Sequence, residues 1–194
     1  MTVKFQRFAP ISANAPAQGV GSGSRSPILL IHGMGSADTV WKPIIPALQE
    51  FAEVITCLLP GHGGNPLDPR VPMDPQSLAA HLRDEMVREG IDRAHVVGNS
   101  LGGWVSFEIA VLKPTAVKTI TALAPAGLWL TPFTSRYPGE LALRAMASGV
   151  EKLAPSLLNY TWAKKIGFET VSPRWKELSY EICLDATNAM AKST

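Results

Sequence analysis

The decapeptide HVVGNSLGGW, residues 95–104, sets one serine between glycines at the end of an apolar run. Such a serine can act as a nucleophile if a base takes its proton. Gly98-Asn99-Ser100-Leu101-Gly102 fits the pattern G-x-S-x-G, between a predicted strand and a predicted helix. In that context the small residues let strand and helix approach. A strained turn then lifts the serine hydroxyl above the sheet. The helix dipole and free amides there favour a developing negative charge. The plainer alternative is a glycine-rich turn with an incidental serine.

A base is harder to find. The four histidines, His32, His62, His81 and His95, all precede Ser100. His32 and His62 lie in glycine-rich turns after apolar runs and read as structural. His81 reads as solvated on an amphipathic helix, and His95 begins the strand that leads to Ser100. Asp185 is the only aspartate after Ser100, and Glu140, Glu151, Glu169, Glu177 and Glu181 read as solvated helix faces. No residue of the 194 is a convincing base or acid partner.

The elements that must position Ser100 follow from hydrophobic periodicity. PILLIHG and EVITCLLP are short apolar runs that predict buried strands, and AHVVGN and VKTITALAP predict a third and a fourth strand. Trp41, Ile44, Ile45 and Leu48 recur at helical spacing, with Pro43 and Pro46 tolerable in a first turn. Asp74 and Pro75 predict a helix start, Leu78, Leu82 and Met86 its apolar face, and Gly90 its end. A buried helix follows Ser100 as far as Lys113. Strands alternating with helices imply a mostly parallel sheet with helices on both faces, an α/β class. Residues 138–192 carry helical signals only. There Ser172 and Pro173 predict a long helix with Trp175, Leu178, Ile182 and Ala189 on one face. Residues 12–26 read as a mobile, Gly/Ser-rich surface loop.

Composition narrows the function. Net charge is +2 and no basic block stands out, which argues against nucleic acid. No signal peptide or membrane span is expected. Cys57 and Cys183 are far apart, suggesting neither a disulfide framework nor a metal site, so a reduced, cytoplasmic compartment is expected. Nothing points to a metal or organic cofactor.

Three stretches together carry a resemblance: His32-Gly33-Met34-Gly35, Leu59-Pro60-Gly61-His62-Gly63 and the Gly98–Gly102 pentapeptide. In order and spacing they resemble the α/β-hydrolase fold family, closest to its cap-bearing esterase, C–C hydrolase and cofactor-free haloperoxidase branch. TALAPAGLW is similar to the point where that branch leaves the core to build a helical lid. The resemblance covers about residues 27–194. It implies a core in residues 1–127 and a helical cap in 128–194. It implies Ser100 as nucleophile and an oxyanion hole from the backbone N–H groups of Met34 and Leu101. His32, Gly33, Gly98 and Gly102 would support them. Serine at the elbow argues against the dehalogenase and epoxide hydrolase branches, which use aspartate. Leu58 stands where many relatives have aspartate, a change expected to touch loop packing more than chemistry.

In that family the acid and histidine follow the lid, whereas this sequence ends within the expected lid at NAMAKST. Three readings stay open. The chain is the N-terminal part of a serine hydrolase acting on an ester, thioester or activated C–C bond, with a small, apolar, ester-like substrate. Or it is a catalytically inactive relative that binds a small ligand or a protein. Or its site is completed by a second chain. A sheet ending after these strands would leave an open apolar edge, suited to self-association or to a C-terminal fragment. Trp129, Phe133, Tyr160, Trp162 and Phe168 suggest an apolar pocket under the lid, or equally ordinary helix packing.

Overall fold

Successive side chains of a strand point to opposite sides of a sheet, so a strand that is apolar throughout must be covered on both faces. Strand β2 (Ile28–Ile31) shows this directly. Leu29 and Ile31 enter one cluster with Leu78, Leu82, Met86, Val105 and Ile109, while Leu30 enters another with Trp41 and Ile45. The computed structural model describes residues 3–11, 26–67, 72–128 and 140–193. Its sheet has five strands in the order β1-β3-β2-β4-β5. These are β1 (Lys4–Phe8), β2, β3 (Val54–Leu58), β4 (Ala94–Asn99) and β5 (Val117–Leu123). All neighbours are parallel except β1, which runs antiparallel to β3. The expected sheet with helices on both faces is therefore present. Helices α2 (Pro75–Arg88) and α3 (Leu101–Leu112) supply the first cluster, and α1 (Ile45–Gln49) the second.

Register fixes where the loops emerge. Ile31 pairs with Gly98 and Asn99 with Leu123, so β2, β4 and β5 deliver their following loops at one end of the sheet. That end is where open α/β sheets form their binding crevices.

Among the described residues four helices follow the sheet: α4 (Glu140–Val150), α5 (Ala154–Leu157), α6 (Thr161–Phe168) and α7 (Tyr180–Ala191). Ala154, Leu158, Phe168, Trp175 and Cys183 give this block a small core of its own. Helix α7 ties it to the loops of the sheet. Lys42 Nζ meets Asp185 Oδ2 at 2.7 Å, and the Gly64 amide donates to the Lys192 carbonyl at 3.0 Å. Among the described residues no helix is long and apolar enough to cross a membrane.

One strand was not expected, and two expectations need correction. Strand β1 was not foreseen. Its alternating, largely exposed residues carry little apolar signal, and pairing with β3 recruits it. Residues 38–49 form two pieces, a 3-10 turn at Asp38–Trp41 and α1, because only Pro46 occupies a helix start. Pro43 lies in the turn between them. Ser172 does not open a helix either. Trp175–Glu177 is a 3-10 turn, Leu178 is extended, and Ser179 caps α7 by accepting from the Ile182 amide at 3.2 Å. By contrast, Asp74 caps α2 through the Ser77 amide at 2.9 Å, and Gly90 ends it at φ +70°. The loop reading of residues 12–26 falls almost entirely outside the described residues, as do Trp129 and Phe133.

Candidate active site

The turn from β4 into α3 puts Ser100 at φ +50° and ψ −112°. For a residue with a side chain this is strained backbone, costing on the order of 1–3 kcal/mol, and it persists only where surroundings hold it. Here three backbone bonds do so. Ser100 N–H donates to the Leu123 carbonyl at 3.0 Å, and its own carbonyl accepts from Trp104 at 3.2 Å and Ala126 at 2.9 Å. The strain expected from the glycine pattern is present.

The glycines beside the turn are required by close approach. A Cβ on Gly98 would collide with the Gly102 carbonyl and lie 2.5 Å from Ser106 Oγ. One on Gly102 would collide with the Ile31 carbonyl and lie 2.7 Å from that of His32. Strand β4, helix α3 and the end of β2 are thus in backbone contact around Ser100.

Ser100 occupies the N-cap position of α3, yet its side chain caps nothing. Serine ordinarily stabilises a helix start by accepting from an amide one turn in, as Ser179 does. The strained backbone turns the Ser100 hydroxyl away from that duty. Two amides are candidates for an oxygen beside it. Leu101 is the first residue of α3, and such amides have no intrahelical partner. Met34 is second in a tight turn closed by the Ser36 amide on the Gly33 carbonyl at 3.3 Å. Gly35, third in that turn, has φ +68°, and the closing bond leaves the Met34 N–H unused. The turn abuts the serine, since a Cβ on Gly33 would lie 3.2 Å from Ser100 Cβ.

His32 is fully buried and both its ring nitrogens are engaged. Nε2 accepts from the Leu59 amide at 3.0 Å, so Nδ1 carries the proton and donates to the Gly33 carbonyl at 2.8 Å. Burial first, then the neighbouring His62, hold its pKa down to about 3. This imidazole clamps the β2 loop to the β3 loop and cannot serve as a base. His62 is buried 5.1 Å away, ring to ring, with Nδ1 at 2.8 Å from the Pro60 carbonyl. His95 bonds Thr119 Oγ1 at 2.8 Å, roughly 16 Å along β4 from Ser100 at about 3.3 Å per residue. His81 is half-buried beside Glu85 at 3.6 Å, and not solvated as expected, because α2 packs that flank inward.

The carboxylates after Ser100 are mostly engaged elsewhere. Asp185 pairs with Lys42, Glu151 with Lys192, Glu169 with Lys165 and Glu177 with Arg174. Glu108, on α3, accepts from Trp104 Nε1 and the Gln76 amide, both at 2.9 Å. In the β3 loop Leu58 lies against Gly63, and its carbonyl accepts from the Asn65 side chain at 3.1 Å.

A cavity of about 470 Å³ opens between the helical block and the β2 loop. An apolar pocket under the lid was one expectation, and the walls of this cavity include Met34 and Gly35, next to the Gly33 that lies against Ser100, but not Ser100 itself. Of the expected aromatic residues, Trp162 and Phe168 line it, whereas Tyr160 is exposed and stacks on Trp162.

Comparison with known proteins places these features in context. A model described as "Alpha/beta hydrolase family" matches residues 28–191. The putative carbamate hydrolase RutD of Stutzerimonas stutzeri is 30% identical over 105 residues, 54% of this chain and 38% of that protein. Monoacylglycerol lipase abhd6-A of Xenopus laevis is 26% identical over 157 residues, 78% of this chain and 43% of that protein. The chain therefore spans about two fifths of the length of these curated relatives. Among solved structures, naproxen esterase from Bacillus subtilis superposes with a TM-score of 0.67 at 18% identity. That superposition covers 98% of this chain and 59% of the esterase.

Proposed function

Since this chain belongs to the alpha/beta hydrolase family, we propose that it carries the nucleophile and oxyanion half of a serine hydrolase acting on a small, apolar, ester-like substrate. The strained, uncapped Ser100 between Gly98 and Gly102 carries this reading. Ser100 Oγ gives its proton to a base as it attacks the carbonyl carbon, and the carbonyl oxygen becomes an oxyanion that accepts from Leu101 and Met34 N–H. Collapse breaks the ester C–O bond, the alcohol leaves with the proton from the base, and water then cleaves the acyl-serine to the carboxylic acid and free Ser100. Removing one such donor typically costs about 10²–10³ in rate. The base and its acid partner come from polypeptide other than the described residues, because each of the four histidines is held elsewhere.

The test is hydrolysis of p-nitrophenyl butyrate. The 194-residue chain is expected to show at most the roughly 10³–10⁴-fold enhancement over water left to hydrolases without a triad, little changed by Ser100→Ala. Joined to the part of an alpha/beta hydrolase that bears the acid and histidine, it should gain a fast rate that Ser100→Ala abolishes. A restored rate that survives Ser100→Ala would refute the nucleophile. A fast Ser100-dependent rate from the chain alone would place the base within it.

The edge of the sheet supports a second expectation. Among the described residues nothing pairs with the outer side of β5. Its exposed residues, Lys118, Thr119, Thr121 and Leu123, are mixed, but the flank of α3 beside it exposes Phe107, Val111 and Leu112. An unpaired edge next to apolar surface invites association. Light scattering should give a concentration-dependent mass above 20.8 kDa, reduced by Val111→Lys with Leu123→Lys. A monomer at every concentration would overturn this.

A further inference from the structure

Resting on the reading of Ser100 as nucleophile, we infer that the cavity under the helical block seats an uncharged, apolar group of the substrate, and that Met190 sets how bulky that group can be beside the scissile bond. Among the described residues, no aspartate, glutamate, lysine, arginine or histidine lines the cavity. Of the two hydroxyl side chains among those lining residues, that of Thr187 is already engaged, donating to the Cys183 carbonyl at 2.9 Å. An ionised group placed there would lose its water and gain no partner. A hydrocarbon chain or ring loses nothing on entry, and about 470 Å³ lies within the range of small-molecule sites.

Continuity with the serine comes through the tight turn. Gly33 lies against Ser100, and the next two residues, Met34 and Gly35, form the cavity wall. A substrate whose carbonyl sits at Ser100 must therefore pass Met34 to reach the cavity. Met190 from α7 closes that same end. Its Sδ and Cε rest on Gly35, 2.8 and 2.9 Å from where a Cβ would be. Gly35 thus makes room for a thioether, and the thioether fills space nearest the ester. Methionine there is flexible and polarisable, a wall that yields to a straight chain but still resists a branch.

The experiment measures binding of methyl esters to the whole chain by titration calorimetry, without relying on turnover. Methyl octanoate is expected to bind at least tenfold more tightly than methyl butanoate, since four more methylenes leave water. Ala147→Phe, which adds a ring to the cavity wall, should remove that advantage. Met190→Ala, which adds no volume and so tests the site even if the first variant misfolds, should improve binding of methyl 2-ethylhexanoate about tenfold relative to methyl octanoate. Equal binding of the two straight esters by the unaltered chain would overturn the apolar seat. Equal effects of Met190→Ala on branched and straight esters would overturn its role as the size determinant. Ester binding without Ser100-dependent hydrolysis in the joined enzyme would uphold the cavity while refuting the nucleophile.

Discussion

Gly102→Ala should cost about 3 kcal/mol of stability, the upper end of what overpacking usually costs, and a urea melt will read it. The added methyl overlaps the Ile31 carbonyl and comes within 2.7 Å of the His32 carbonyl, both backbone. Neither can step aside. Ile31 belongs to β2, paired on one side with β3 and on the other with β4. Helix α3 is held from its other end by burial of Val105 and Ile109. Against a usual total of about 5–15 kcal/mol the loss is large. Gly149→Ala is the control. Nothing lies within 4 Å of that position in α4, so the same methyl should instead stabilise by about 0.5–1 kcal/mol through helix propensity. Equal effects at the two sites would mean that the close approach around Ser100 is not what the structure shows.

Acid should also unfold the chain through His32. Its folded pKa is pushed down to about 3 from an ordinary 6.5 by burial. Between those values the unfolded chain binds the proton and the folded chain does not, so stability rises with pH across that window. The contribution is fully present above pH 6.5 and is lost as pH falls toward 3, on the order of 4–5 kcal/mol in all. His32→Gln keeps a side-chain oxygen that can accept from the Leu59 amide but has no proton to gain. Unfolding followed from pH 7 to pH 3 should show the unaltered chain losing its lead over the variant as the pH drops. A gap that stays constant would overturn this account of the buried imidazole.

Much of this fold is legible in the sequence. β2 and β3 are apolar runs that end at glycine or proline, β5 runs between Pro114 and Pro125, and α2 carries its own start and stop in Asp74 and Gly90. The elbow was legible because its geometry needs small residues at fixed offsets. What stayed hidden is instructive. Of the apolar series from Trp175 to Ala189, Trp175 and Leu178 pack together with Cys183, whereas Ile182 is exposed. Periodicity recorded that burial and not the break at Leu178. Strand β1 exists because β3 offers it a partner, which no local pattern announces. The sequence around His32 reads as structural, but the bond from the Leu59 amide to its ring, which joins loops 27 residues apart, appears only in three dimensions. Met190 was missed entirely. Its signal lies in Gly35, which looks like a turn glycine and is also the hollow that holds a thioether.

The three bonds that hold Ser100 in its strained turn have a bearing on how the chain comes to life. Two of them reach Leu123 and Ala126, beyond the end of α3. A ribosome that has released only the first 112 residues has delivered the whole glycine-serine motif without the means to shape it. Until β5 docks beside β4, the serine is free to relax into an ordinary helix start, with its hydroxyl turned back to cap the helix. The strained backbone at this position is therefore a late product of synthesis, held by a strand that supplies only main-chain partners to it.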